Sequence, residues 1–325
     1  MREGTAFFDL ASLAKPLVTA PLALSRLDLD VDRRSQLGFL DRSEPLTVRQ
    51  LLSHSAGLPP WLPFTGEPLS RQLQASFPRD VHPLLRTASL GVSTYSDLGY
   101  RLLGELLELE AGRPFQELGA QASGLSPAPW GLSSTELPDG PDVAAWSLAA
   151  PGIPVPLRSP FQPHDANARA GMQGHAGFGA TAPQMQKTLE QWIQQGFPRQ
   201  MAVDTALAED GTRWGLGLQR SLGGPGRFGW LLASLPTGFG GVHVLASEAV
   251  DLAAPAPDAA GRPGEPTDWW MHFGFTGPAL FVRPRDGACL CLLAHRRGPA
   301  GELLELKQLQ ARRWDLLSHY IDGIR

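Results

Sequence analysis

The chain has 325 residues, 42% hydrophobic and 18% charged, a balance that excludes a disordered or fibrous protein and suffices for a large core. With 28 basic and 32 acidic side chains the formal net charge is −4, and no basic run with interleaved aromatics occurs, so nucleic acid is not an expected partner. Apolar runs such as Trp230 to Leu235 fall far short of the roughly 20 residues of a membrane span, so none is expected.

Met1 to Ala6 lacks the apolar core of a signal peptide, which predicts a cytoplasmic protein as written, or a periplasmic or secreted one if the N-terminus is incomplete. The apolar stretch Phe7-Phe8 to Leu10-Ala11 then opens onto a helix-like segment carrying Ser12 and Lys15. Three residues apart on a helix means one face, about 5–6 Å between Cβ atoms, so the amine can reach the hydroxyl. A serine hydroxyl is a poor nucleophile until a base activates it, and a lysine can serve when burial lowers its pKa. By spacing alone, a serine N-cap followed by a solvated lysine competes with this reading. The other lysines, Lys187 and Lys307, follow Gln184 and Leu304 at the same spacing, so this Ser-x-x-Lys pairing stands alone.

Leu17, Val18, Leu22 and Leu24 extend the helical segment, with Pro21 expected to kink or end it. Thr47 to His54 predicts a short helix that stops before Gly57. Leu98 to Ala111, closed by Gly112, and Gln184 to Gln195, closed by Gly196, predict two longer ones. Beyond them Arg213 to Gln219 reads as a strand. Leu222 to Asp268 is a Gly/Pro-rich insertion, periodic only around Gly229 to Leu235 and Gly241 to Leu245, with Ala253 to Pro266 reading as flexible. Gly277 to Val282 and Ala288 to Ala294 flank Asp286-Gly287 as a hairpin, and Leu303 to Ile321 is an amphipathic helix. Cys289 and Cys291 fall on one face of the second hairpin strand, with no geometry for a mutual bridge, and are expected reduced.

This order predicts an α+β fold: an antiparallel sheet covered by helices, with an inserted helical region. The expected organisation is one domain over 1–325, its α/β part at 1–27 plus 205–325, its helical part at 28–204 and the insertion at 222–268. No Cys-x-x-Cys, His-Glu-x-x-His, dinucleotide or phosphate-loop motif occurs, so neither a metal nor a cofactor is expected. The absence of Gly-x-Ser-x-Gly disfavours an α/β-hydrolase.

Five segments in order resemble the serine β-lactamase-like superfamily, nearest its class C and esterase branch. They are Phe8-Asp9-Leu10-Ala11-Ser12-Leu13-Ala14-Lys15; Leu51-Leu52-Ser53-His54-Ser55-Ala56-Gly57-Leu58-Pro59; Tyr95-Ser96-Asp97; His164-Asp165-Ala166-Asn167-Ala168-Arg169 with Gly174-His175-Ala176-Gly177-Phe178; and His272-Phe273-Gly274-Phe275-Thr276-Gly277. The resemblance implies a β-lactamase/transpeptidase-like fold and acyl transfer. Ser12 would be the nucleophile, Lys15 would hold or take its proton, and Tyr95 would be the partner base, its pKa lowered by Lys15. The N–H groups of Ser12 and Phe275 would form the oxyanion site beside Gly274. His272 would meet a substrate carboxylate or leaving group, and Asp97 would orient Lys15 or the leaving group. His54, His164 and His175 are read as structural.

Phe273 stands where a hydroxyl residue is usual and His272 where lysine is usual, which favours an esterase-like site on a small-molecule ester or amide. A D-alanyl peptidase or penicillin-binding protein, a β-lactamase, and an inactive relative acting as a binding protein are the alternatives. Relatives usually begin with strands that precede Ser-x-x-Lys, whereas eleven residues precede Ser12 here. The Cys289 strand is therefore expected as an exposed apolar edge.

Overall fold

Alternation along the two strands around Asp286-Gly287 organises the molecule. In β10 (Ala279–Arg283) and β11 (Ala288–Leu293), successive side chains point to opposite faces and every one is buried. Leu280, Val282, Cys289, Cys291 and Leu293 join one apolar cluster, while Ala279, Phe281, Ala288, Leu290 and Leu292 join another. Cys289 and Cys291 thus share a face as free thiols. A sheet apolar on both faces requires cover on both sides.

A computed structural model describes residues 7–39, 45–62, 67–76, 92–127, 165–169, 174–221, 228, 231, 232, 235, 238–246, 268–294, 296 and 304–324. Among these the other strands are β1 (Phe7–Asp9), β2 (Val92–Ser93), β3 (Ser126–Pro127), β4 (Phe178–Thr181), β5 (Ala206–Ala208), β6 (Thr212–Trp214), β7 (Gln219–Ser221), β8 (Val242–Ala246) and β9 (Trp270–Phe273). The helices are α1 (Ala20–Arg26), α2 (Arg34–Leu37), α3 (Val48–Leu52), α4 (Leu69–Ser76), α5 (Asp97–Ala111), α6 (Phe115–Ser123), α7 (Ala166–Arg169), α8 (Ala182–Gln194), α9 (Phe197–Met201) and α10 (Leu306–Ile324). The main sheet runs β2-β5-β6-β7-β9-β10-β11-β8, and a small one runs β1-β4-β3. Met185, Leu189 and Trp192 of α8 belong to the first cluster. Trp314, Leu317 and Ile321 of α10, with Leu231, Leu232 and Leu235, belong to the second. The α+β class expected from the sequence is the fold observed.

Capping explains where the helices start. Thr47 and Gln50 form a capping box at α3, and Thr181 and Gln184 form another at α8. Gly112, left-handed at φ 62°, closes α5 where expected.

Three expectations give way. Pro21 does not end the first helix: Lys15–Thr19 is a π-turn, Ala20 N–H bonds back to Lys15, and Pro21 lies in the first turn of α1. The widened turn lets the helix continue through the proline, which has no N–H to donate. Arg213 to Gln219 is not one strand but β6 and β7, because Gly217 at φ 100° turns the chain and Gly215 N–H bonds to Leu218 O at 2.8 Å. Nor is β11 an open edge: β8, from the Gly/Pro-rich segment, pairs with it in parallel from Cys289↔Val242 to Leu293↔Ala246. Ala253 to Pro266 and His164 lie outside the described residues.

Candidate active site

The small sheet delivers Ser12. Leu10 N–H donates to Phe178 O at 3.0 Å as β1 ends, and Ala11 turns the chain at φ 44°, a region non-glycine residues seldom occupy. Asp9 Oδ1 holds this turn by accepting from Ala11 N–H at 2.9 Å. Ser12 then sits in the first helical turn with Lys15 one turn on. Lys15 is fully buried, and its Nζ donates to Ser12 Oγ and to His175 O, both at 3.0 Å. Asp97 Oδ1 lies 2.7 Å from the same Nζ. The Tyr95 hydroxyl donates to Ser12 Oγ at 3.0 Å. Two side chains distant in sequence, Tyr95 and Asp97, and the His175 carbonyl thus meet at Ser12 and Lys15.

Electrostatics set their resting charges. Burial works to lower the Lys15 pKa, but the Asp97 charge, Tyr95 and the hydrogen bonds to both together outweigh it and the net direction is upward, so Lys15 rests as ammonium. Burial pushes the Tyr95 phenol up and Lys15 only partly offsets it, so Tyr95 rests neutral, contrary to the expected lowering. Although the residue as a whole is 37% exposed, its hydroxyl faces Ser12 at the floor of the cleft. Burial opposes ionisation of Asp97, yet Lys15 and His175 keep its pKa below the usual carboxylate range.

The Leu51 to Pro59 segment positions Tyr95 and Asp97. His54, buried and left-handed at φ 56°, accepts through Nδ1 from Ser96 N–H at 3.1 Å, while its carbonyl accepts from Thr94 N–H at 2.9 Å. Its ring lies 4.6 Å from that of Tyr95 and 4.4 Å from that of Trp214. Burial, then the Lys15 charge, holds the imidazole pKa well below its ordinary value, so His54 is neutral. Ser96 caps α5 through Leu98 N–H, placing Asp97 in the first turn where the helix dipole favours an anion.

His272, Gly274 and Phe275 line the same cleft, of about 700 Å³, as Ser12, Tyr95 and Asp97. Burial, then the Lys15 charge, presses the His272 pKa down to about 3. Its Nδ1 donates to Gly217 O at 3.1 Å, which leaves Nε2 as an acceptor without a partner among the described residues. A neutral acceptor suits a leaving-group N–H or O–H, not the carboxylate contact also expected of it. Gly274 is glycine for space: a Cβ there would come within 2.9 Å of Leu10 O. Phe275 stands 47% exposed at the rim, and Thr276 Oγ1 ties its loop to Asp9 O at 2.8 Å.

Asp165 and His175, which stand in the fourth segment with His175 read as structural and Asp165 given no role, pair with Oδ1 and Nε2 lying 2.9 Å apart behind Asp97. Burial would raise the Asp165 pKa, but the bond to His175 brings it well below the usual range. Ligand atoms of Asp97, Asp165 and His175 fall within 4.8 Å of one another. The Lys15 ammonium already neutralises Asp97 there, so the donor set suits a lysine rather than a divalent metal. Sequence reasoning missed Trp214, whose ring walls the cleft beside His54 and His272. Among the described residues no helix is long and apolar enough to cross a membrane.

Residues 2–313 match the Beta-lactamase family. No curated protein matches the chain. Among solved structures, a class C β-lactamase from Rhodobacter sphaeroides is similar at 16% identity and a TM-score of 0.56, over 97% of this chain and 86% of that one. EstCE1, described as a hydrolase with promiscuous acyltransferase activity, is similar at 19% identity and 0.56, over 98% and 86%. SurE, solved with D-Leu, is similar at 22% identity and 0.53; the match covers 97% of this chain but only 65% of SurE. At such identities the likeness is one of fold. The match over residues 2–313, on an α+β scaffold shared with these structures, places the chain in the Beta-lactamase family.

Proposed function

We propose that the protein is a serine hydrolase that forms an acyl-enzyme on Ser12 and acts, esterase-like, on a small ester or amide. The observation that carries this is the convergence of Lys15 Nζ and the Tyr95 hydroxyl on Ser12 Oγ, each at 3.0 Å, in an open cleft.

Because Lys15 rests as ammonium, it must shed a proton before it can take one, and Asp97 at 2.7 Å is the acceptor. The freed amine takes the Ser12 proton while Oγ bonds to the substrate carbonyl carbon. The N–H groups of Ser12 and Phe275 receive the oxyanion. As the carbonyl re-forms, the bond to the leaving group breaks, Tyr95 gives that group its proton, and Lys15 returns one to Tyr95. Water releases the acid by the same route in reverse. The apolar cleft with Phe273 at its side favours an ester over a substrate anchored by its carboxylate.

The test is turnover of p-nitrophenyl esters by the wild type and Ser12→Ala, beside labelling with a fluorescent penicillin. Ester turnover lost in Ser12→Ala, with weak penicillin labelling, is the expected result. Strong penicillin labelling would point to a penicillin-binding protein or β-lactamase. No turnover and no labelling would point to a binding protein.

A further inference from the structure

Across the cleft, α10 contributes a buried cation. Arg313 is only 1% exposed, and its hydrogen-bond partners are main-chain carbonyls: Nε donates to Gly277 O at 2.9 Å, and Nη2 donates to Pro278 O at 2.9 Å and to Gly274 O. Its guanidinium carbon lies 5.0 Å from the centre of the Phe273 ring. A buried guanidinium is costly unless its hydrogen bonds are met, and here carbonyls and an aromatic face meet them. Phe273, where the family usually has a hydroxyl residue, thus has a physical partner.

Gly274 C=O and Phe275 N–H belong to one peptide unit. Such a unit is planar and trans, so its N–H points opposite to its carbonyl. Holding the carbonyl on a cation fixes where that N–H points and draws electron density toward oxygen, strengthening the N–H as a donor. The loop is also braced on the nucleophile's side, since Thr276 Oγ1 bonds to Asp9 O at 2.8 Å and Gly274 packs against Leu10 O.

We propose that Arg313 is a positioning residue of the oxyanion site, aiming and polarising the Phe275 N–H from behind through Gly274 O. The inference rests on Ser12 as nucleophile and Phe275 N–H as oxyanion donor, and Arg313 itself touches no reacting atom. Arginine suits the role because its planar fork can reach three carbonyls at once, which a lysine ammonium on a flexible stem does not reproduce.

The experiment compares wild type, Arg313→Gln and Arg313→Lys on a p-nitrophenyl ester and its thionoester analogue, with thermal unfolding of each. Fluorophosphonate labelling of wild-type Ser12 is the control. Sulfur accepts hydrogen bonds weakly, so a working oxyanion site discriminates against the thionoester. Arg313→Gln is expected to lower kcat for the ester on the order of 10²-fold with little change in KM, and to shrink the ester-to-thionoester ratio. Arg313→Lys should fall between. A folded Arg313→Gln with unchanged kcat and ratio overturns the inference while the labelled wild type upholds the nucleophile. No adduct in the wild type overturns the underlying reading. If Arg313→Gln does not fold, Arg313→Lys carries the test, and a wild-type ratio there overturns the inference.

Discussion

Replacing Asp97 by asparagine removes the charge that keeps Lys15 protonated while keeping the shape of the site. Coulomb's law at the observed 2.7 Å, with an effective dielectric near 20, gives about 6 kcal/mol for the pair. Asp97 is 20% exposed, and halving the value for the solvent that reaches it leaves about 3 kcal/mol. Burial, which opposes the charge, then prevails, and the Lys15 pKa moves from above its ordinary value to below it. In the wild type, acylation should be nearly flat between pH 6 and 9, because proton transfer within the Lys15–Asp97 pair leaves the site's total proton count unchanged. Asp97→Asn should replace that plateau with a rate that climbs with pH as Lys15 deprotonates. The assay is the pre-steady-state burst of p-nitrophenol across that range, with unfolding followed at each pH. A flat profile in a folded, active Asp97→Asn would refute the reasoning.

Three further outcomes follow from the fold. Burial raises both thiol pKa values and neither side chain reaches solvent, so Cys289 and Cys291 should resist Ellman's reagent in the native protein and both react once unfolded; native reactivity would contradict their place inside the sheet. Val244→Pro should destabilise the protein by about 3 kcal/mol and promote aggregation by uncovering β11, with Val244→Thr as the control, both followed by denaturant melts and light scattering. His54→Ala should cost about 2–3 kcal/mol through the lost acceptor for Ser96 N–H and the lost ring contacts, and lower kcat more than it raises KM because Tyr95 is released. An unchanged kcat there would separate His54 from the site.

What was legible in the sequence was local. A helix closed by Gly112, a hairpin turned at Asp286-Gly287 and a serine three residues before a lysine each declare themselves within one or two turns. Parallel pairing of β8 with β11 was not legible, because its partners lie about 47 residues apart and the turn chemistry that marks a hairpin is absent. The break between β6 and β7 was hidden because Trp-Gly-Leu-Gly-Leu alternates like a strand until Gly217 adopts a positive φ. The pairing of Asp165 with His175 behind Asp97 was not legible because it depends on α5 bringing Asp97 against a helix 82 residues earlier in the chain. The lysine's charge was misjudged from the motif for the same reason: burial alone predicts a lowered pKa, and only the fold supplies the carboxylate that reverses it.

The central claim is that Ser12 is acylated because Lys15 and Tyr95 converge on it. The most direct measurement is intact-mass and peptide mass spectrometry after incubation with a fluorophosphonate, on wild type, Ser12→Ala and Tyr95→Phe. One adduct on the Ser12 peptide of the wild type, none on Ser12→Ala, and slow labelling of Tyr95→Phe is the predicted pattern. An unlabelled wild type, or equal labelling of wild type and Ser12→Ala, would contradict the account.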